Sequence, residues 1–329
     1  MNSQYGRKWS VLIVLRSGET IEINQMQFEP EGLKVTFDIN YPGIKAWYFS
    51  EIVLWNLSAE TSNDILTGPV YGAQIYLSAG YQNGKYGQIF GGYIFQTLFE
   101  RQNVTDYKLT IRAIDGNKIF SENFLSFTLK AEYTAMTLFN NAISNAQTQI
   151  QAGKISDVVK NNNTQSYRGI TVFKTTRDFM EEFSKNTGSQ AFVIDDKLNI
   201  TTSSDGDENK EMAIVKSPDS GLIGTPVQID YGVSFKCLLD SDIKLAAPPN
   251  WIKLDMSLVR LQAIEIGTMS TILDEDMILK IGGVRHIGDT RGNDWYTEVI
   301  GYTIGGKTPP QLFENLKASE MLPIPKTGA

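Results

Sequence analysis

From Ser10 to about Lys130, apolar and polar residues exchange places at nearly every second position. The runs VLIVL, LKVTFDINYP and AWYFSEIVLWNLS are rich in β-branched and aromatic side chains, the composition of strands. Leu33, Val35, Phe37 and Ile39 alternate with Lys34, Thr36, Asp38 and Asn40, a pattern that buries one face of a sheet. Ala59 to Leu66 predicts one short helix. The stretch from Gly72 to Gly116 adds strands separated by glycine-containing turns, so this region reads as one barrel or sandwich.

The period changes near Ala131. Ala135, Leu138, Phe139, Ala142, Ile143, Ala146 and Ile150 recur at steps of three and four, predicting an amphipathic helix of roughly four turns that reaches Gly153 and is the longest in the chain. The polar tract Lys160 to Gln165 reads as a loop. Thr175 and Asp178 have the spacing of a capping box, Phe179, Met180 and Phe183 share the apolar side of the helix it opens, and Gly188 closes that helix. AFVI and LNIT flank Asp195-Asp196-Lys197 as a hairpin. From Ser217 the strand pattern returns, through WIKLD, SLVRLQAIEIG, MILKIGGVRHIG and WYTEVIGYTIG. Pro309, Pro310, Pro323 and Pro325 keep the last segment out of a sheet, with a short helix expected over 311–321. The organisation read from these changes is residues 1–130 (β), 131–216 (α/β), 217–304 (β) and a tail, 305–329.

Composition narrows the class. The chain has 329 residues, 41% hydrophobic and 11% aromatic, enough to build more than one core. No apolar run approaches the ~18 residues that span a bilayer, and Val11 to Leu15 is too short for a secretory signal. A single cysteine, Cys237, excludes an internal disulfide framework and fits assembly in a reducing cytoplasm. Thirty Lys and Arg against 37 Asp and Glu give a net charge of -7, with no basic stripe to track phosphates, so stable nucleic-acid binding is not expected.

Candidate chemistry is sparse. His286 is the only histidine, which excludes His-rich zinc centres and paired-histidine motifs. A Cys237/His286 nucleophile and base pair is weighed against a buried Cys in a strand, and the strand is preferred. Asp205 to Glu211 lacks the ligand order of an EF-hand and reads as a solvated loop, as does Asp274-Glu275-Asp276. No acid lies in a lysozyme-like context. Gly80-Tyr81, Tyr86-Gly87 and Gly92-Tyr93 suit either a stacking platform for sugars or ordinary strand positions, with Gly91-Gly92 expected at a bulge. No catalytic residue, cofactor or metal is assigned.

The segment SGLIGTPVQIDYGVSFKCLLDSDI carries most of the remaining information. Ser220 to Pro226 suits a turn or close backbone approach, and Val233, Phe235 and Cys237 alternate as a strand does. Gly221, Leu222, Ile223, Gly224, Pro226, Gly232, Val233, Cys237, Leu238, Leu239 and Asp240 stand where a recurrent Gly-Leu-Ile-Gly-x-Pro … Gly-Val … Cys-Leu-Leu-Asp pattern has them. Downstream, His286, Gly288, Asp289, Thr290, Gly292 and Trp295 to Glu298 complete a His-x-Gly-Asp-Thr-Arg-Gly-x-x-Trp-Tyr-Thr-Glu segment. The pair resembles the baseplate hub proteins of contractile phage tails, a family shared with the hub portion of type VI secretion spikes. The resemblance implies a β-rich α+β protein in which two tail-tube-like β-barrel domains bracket a small α/β domain. It also implies a non-enzymatic homotrimer of the virion baseplate that joins a sixfold tail tube to a threefold central spike and lines the DNA channel. Partners would be the tube, the spike and other baseplate proteins, with the cell envelope met only through the spike. The alternatives are the hub of a phage-derived contractile injection machine and a glycan-binding or glycan-cleaving tail module.

Overall fold

Strand β3 (Val35–Tyr41) sets the architecture. Its burial alternates strictly, with Val35, Phe37, Ile39 and Tyr41 inside. One edge pairs antiparallel with β4 (Ser50–Trp55), and the other pairs with β17 (Ile278–Asp289), Val284 opposite Tyr41 through Asp289 opposite Thr36. The computed structural model describes residues 6–24, 32–41, 50–67, 72–115, 123–147, 150–194, 197–202, 211–229, 232–245, 250–255, 257 and 276–302. The acidic tract at 205–210, residues 195–196 and 274–275, most of SLVRLQAIEIG and the tail with its expected helix lie outside them.

The N-terminal strands are β1 (Arg7–Val14), β2 (Thr20–Asn24), β5 (Gln74–Tyr81), β6 (Tyr86–Arg101) and β7 (Tyr107–Ile114), with helix α1 (Ala59–Thr67) after β4. The C-terminal strands are β13 (Ile214–Lys216), β14 (Leu222–Ile229), β15 (Gly232–Leu238), β16 (Trp251–Leu254) and β18 (Trp295–Tyr302). All join one sheet in the order β14-β15-β18-β17-β3-β4-β7-β6-β5-β1-β2, with β16 on the first part of β17 and β13 beside it. The expectation of two closed barrels is therefore overturned. Closure would require each region's outer strands to bond to each other. Instead β3 gives its edge to β17, and among the described residues the path ends at β14 and β2 without returning. Among the described residues the architecture is one large mixed sheet with small α/β elements.

The middle of the chain supplies those elements. β8 (Phe124–Leu129) pairs with β10 (Ile170–Thr175), and β9 (Gln151–Ile155), β11 (Ser189–Ile194) and β12 (Lys197–Thr202) form a three-stranded sheet. Helices α2 (Ala135–Ser144), α3 (Asp157–Lys160) and α4 (Thr176–Thr187) accompany them. Leu125, Phe139, Val172, Phe179, Met180, Phe183 and Ile200 make a core separate from that of the large sheet. α4 begins where the capping box placed it, Thr175 Oγ1 accepting from Asp178 N–H at 3.2 Å, and ends at Gly188 with φ 62°. α2 is shorter than its apolar period predicts. The amides of Asn141 and Asn145 and the Ser144 hydroxyl donate to carbonyls four residues back, a competition that weakens helix ends. The residues after Ile150 leave to pair in parallel with β12, making α4 the longest described helix.

Two smaller expectations also change. Gly91 and Gly92 pair regularly with Tyr76 and Ile75, and the register shifts fall around Ile89 and Phe95 instead. Ser220 to Pro226 is not simply a turn. A 3₁₀ turn, Pro218–Ser220, capped by Ser217, leads through Gly221 at φ 95° into β14, whose pairing is interrupted between Ile223 and Val227, where Gly224 has φ 69°. Among the described residues, no helix is long and apolar enough to cross a membrane.

Candidate functional site

The two signature segments, more than forty positions apart at their nearest, meet in the sheet. β15 and β18 pair antiparallel, setting Cys237 opposite Thr297 and Leu238 opposite Tyr296, and β18 in turn sets Thr297 opposite His286. Leu239 N–H reaches the Trp295 carbonyl at 3.3 Å, and Leu238 N–H the Gly221 carbonyl at 2.7 Å. Leu239, His286 and Trp295 are buried, while Ile223, Gly224 and Thr225 lie exposed on the edge strand beside a buried Pro226. Gly232 is where β15 comes closest to β18: a Cβ there would run into the Gly301 carbonyl. A Cβ at Gly288 would enter the Phe37 ring, so this glycine lets β17 lie flush against β3.

Asp240 is the centre of the arrangement. Its carboxylate, 1% exposed, takes the buried Lys216 ammonium at 2.7 Å and the Lys85 ammonium at 3.1 and 3.2 Å. Lys85 also meets Asp242 at 2.7 Å. Burial opposes ionisation of Asp240, but the two lysines outweigh it and hold its pKa below the usual carboxylate range. The Asp240 N–H donates to Thr297 Oγ1 at 3.1 Å, and Thr297 Oγ1 shares a 2.9 Å hydrogen bond with His286 Nδ1. Desolvation drives the fully buried imidazole down to a pKa of about 3, so it is neutral. Hydrogen bonds and ion pairs thus run from the β5–β6 turn, through the loop after β15, to β13, β18 and β17.

On the opposite face, Lys236, Glu298 and Arg285 form a charged ladder across β15, β18 and β17. Lys236 pairs with Glu298 at 2.8 Å, and Arg285 grips Asp38 through two bonds of 2.7 and 2.5 Å. The loop between β17 and β18 reaches the N-terminal strands. Arg7 donates to the carbonyls of Asp289 and Gly292 and lies over the Trp295 ring at 5.4 Å. Thr290 exchanges bonds with Val35, its Oγ1 accepting at 2.9 Å and its N–H donating at 3.0 Å. Asp289 pairs with Lys34 at 3.5 Å and takes the Arg291 N–H, closing the turn that Gly292 completes. The segment therefore fastens the N-terminal strands to the β17–β18 turn.

Sequence reasoning did not single out Lys85, Lys216, Arg7, Asp38 or Arg285 for these roles. Lys216, a cation at the end of the apolar AIVK run, carried a usable signal. The others look like surface charges.

Nucleophilic chemistry is not assembled. Thr297 stands between Cys237 and His286 on an intervening strand, and burial pushes the Cys237 thiol up to about 12. A cleft of about 170 Å³ lies over β3, β4 and β17 with Asp38, Glu51, Asp289 and Asp294 on its walls. Three of these acids are engaged by Arg285, Arg112 and Lys34. Tyr81 and Tyr93 are buried, and Tyr86 packs under Lys8 with its hydroxyl on Ser10, so these rings serve the sheet. Among the described residues, no group of three or more His, Cys, Asp or Glu is placed to hold a metal ion.

This is the fold of phage-type tail proteins. The tail protein of Neisseria meningitidis MC58 superposes with a TM-score of 0.54 at 11% identity, over 93% of this chain and 99% of its own. The 43 kDa tail protein of prophage MuSo2 from Shewanella oneidensis gives 0.53 at 7%, over 91% and 99%. A chain of the lidded Francisella PdpA-VgrG complex gives 0.50 at 9%, over 94% of this chain and 54% of that one. No curated protein sequence matches significantly. The profile of the baseplate hub gp41 family matches residues 42–254, and the chain belongs to that family. It is a structural component of the virion tail baseplate, and it shares its fold with a chain of a VgrG-containing complex.

Proposed function

We propose that three copies form a ring that joins the sixfold tail tube to the threefold central spike and lines the channel through which DNA leaves. The observation that carries this reading is the large open sheet, whose end strands β14 and β2 each have one strand neighbour among the described residues. A ring of copies supplies neighbours to such ends, where a closed barrel would have none to offer. The net charge of -7 suits a lumen wall that does not grip phosphates. The tail tube, the spike and other baseplate proteins are the partners, met through obligate interfaces above about 2,000 Å². Residues 131–216 act in this reading as an α/β insertion between the β regions, and the signature residues act as its internal fastenings.

Light scattering after gel filtration, over a range of concentrations, tests the stoichiometry. A mass of three times the 36.7 kDa chain is expected. A monomer at every concentration, persisting when tube and spike proteins are added, would overturn the trimeric hub.

A further inference from the structure

The turn that joins β5 to β6 holds a reactive pair outside the hub's fastenings. Tyr81 N–H donates to the Lys85 carbonyl at 3.0 Å, whereas Gly84 N–H reaches the Tyr81 carbonyl only at 3.5 Å. Asn83 is exposed and makes no side-chain hydrogen bond among the described residues. It is also the only asparagine in the chain that precedes a glycine. Glycine leaves its backbone nitrogen unshielded by a side chain, and this one is lightly held beside a free carboxamide.

We propose that Asn83 is a site of spontaneous deamidation, and that the change loosens the Lys85 half of the Asp240 clamp. The Gly84 nitrogen, losing its proton, bonds to the Asn83 side-chain carbonyl carbon, and ammonia leaves. Water then opens the cyclic imide at either carbonyl, giving aspartate or its β-linked isomer. The isomer adds one carbon to the main chain between Asn83 and Gly84. The hairpin cannot absorb that length easily, because Gly80 faces the Lys85 carbonyl with no room even for a Cβ. Lys85 is therefore displaced from Asp240 and Asp242, both of which it holds at 3.2 Å or less. Both products also add a negative charge two residues from Lys85.

The full chain is incubated folded in mildly alkaline buffer, with a urea-unfolded sample as the reference for intrinsic reactivity. Peptide mass spectrometry should show a gain of about 1 Da at Asn83 in the folded sample, resolved into two isomers. Urea titration of the aged protein should show its unfolding constant raised about two- to fivefold, the worth of a part-exposed ion pair. An aged Asn83→Ser protein should not change. Fresh Asn83→Asp, which has the charge without the extra carbon, should fall between them. A folded sample that stays intact while the unfolded one converts overturns the site. Conversion with an unchanged titration overturns the link to Lys85.

Discussion

His286 offers a test that the sequence makes unusually clean, because its imidazole is the only one in the chain. The ring is fully buried, with Thr297 on Nδ1 and Tyr41 edge-on at 6.2 Å. Desolvation lowers its pKa from 6.5 to about 3, opposed by Asp240 and by the Ile243 backbone and aided by Lys244. The unfolded chain begins to bind a proton as pH falls through 6.5, while the folded chain refuses it until about 3. Stability should therefore fall as pH falls through that window. Between about pH 7.5 and pH 5, the difference in proton binding amounts to about 2 kcal/mol, a thirtyfold change in the unfolding constant. Asp240 shifts stability in the same direction, but its folded pKa lies below 3.8, so its loss belongs to more acid solution. The assay is urea unfolding across the upper window for the native chain and for His286→Gln, with the imidazole proton resonance followed by NMR in parallel. The variant should lose the pH slope, and the native resonance should stay at its neutral position down to pH 5. A resonance that titrates near 6.5, or a variant with an undiminished slope, would refute the buried neutral histidine.

Asp240→Ala leaves Lys216 buried without its partner and should cost about 3–5 kcal/mol in a denaturant titration, whereas Lys85→Ala, on the exposed side, should cost at most about 1. Gly288→Ala forces a Cβ into Phe37 and should lower the thermal midpoint more than Gly18→Ala, a turn position with open space around it but a positive φ; equal losses would mean that the β3–β17 seam tolerates separation. Trp295→Ala removes a buried ring packed on Phe37 and Arg7 and should cost about 3–5 kcal/mol. Cys237 should resist a thiol reagent in the native protein and react once in denaturant, as its burial and raised pKa require; rapid native labelling would contradict that.

Local structure was legible where the sequence decides locally. The alternation from Val35 to Ile39 located β3 and its buried face, and Thr175, Asp178 and Gly188 located both ends of α4. Three asparagine and serine side chains ended α2 early, a competition that apolar spacing alone does not register. Strand partnership was not legible. An alternating strand states which face is buried but not which neighbour takes each edge, so the seam of Asp38 with Arg285, 247 positions apart, could not be read from either segment. The signature pattern includes Asp240 and His286, but the lysines that neutralise Asp240 come from turns and strand ends with no pattern of their own.

The β3–β17 seam has a consequence for how the protein is made. While the ribosome is still adding the middle of the chain, β3 has β4 on one side and nothing on the other, since its second partner has yet to be synthesised. The nascent chain thus carries an open edge through most of its translation, exposed to mispairing and dependent on whatever shields it. Once β17 arrives the edge is sealed, and only then do Arg7, Val35 and the loop that binds them come together. An incomplete chain cannot present the finished sheet. A chain that stops before β17 lacks the strand that seals β3 and is left with that edge open.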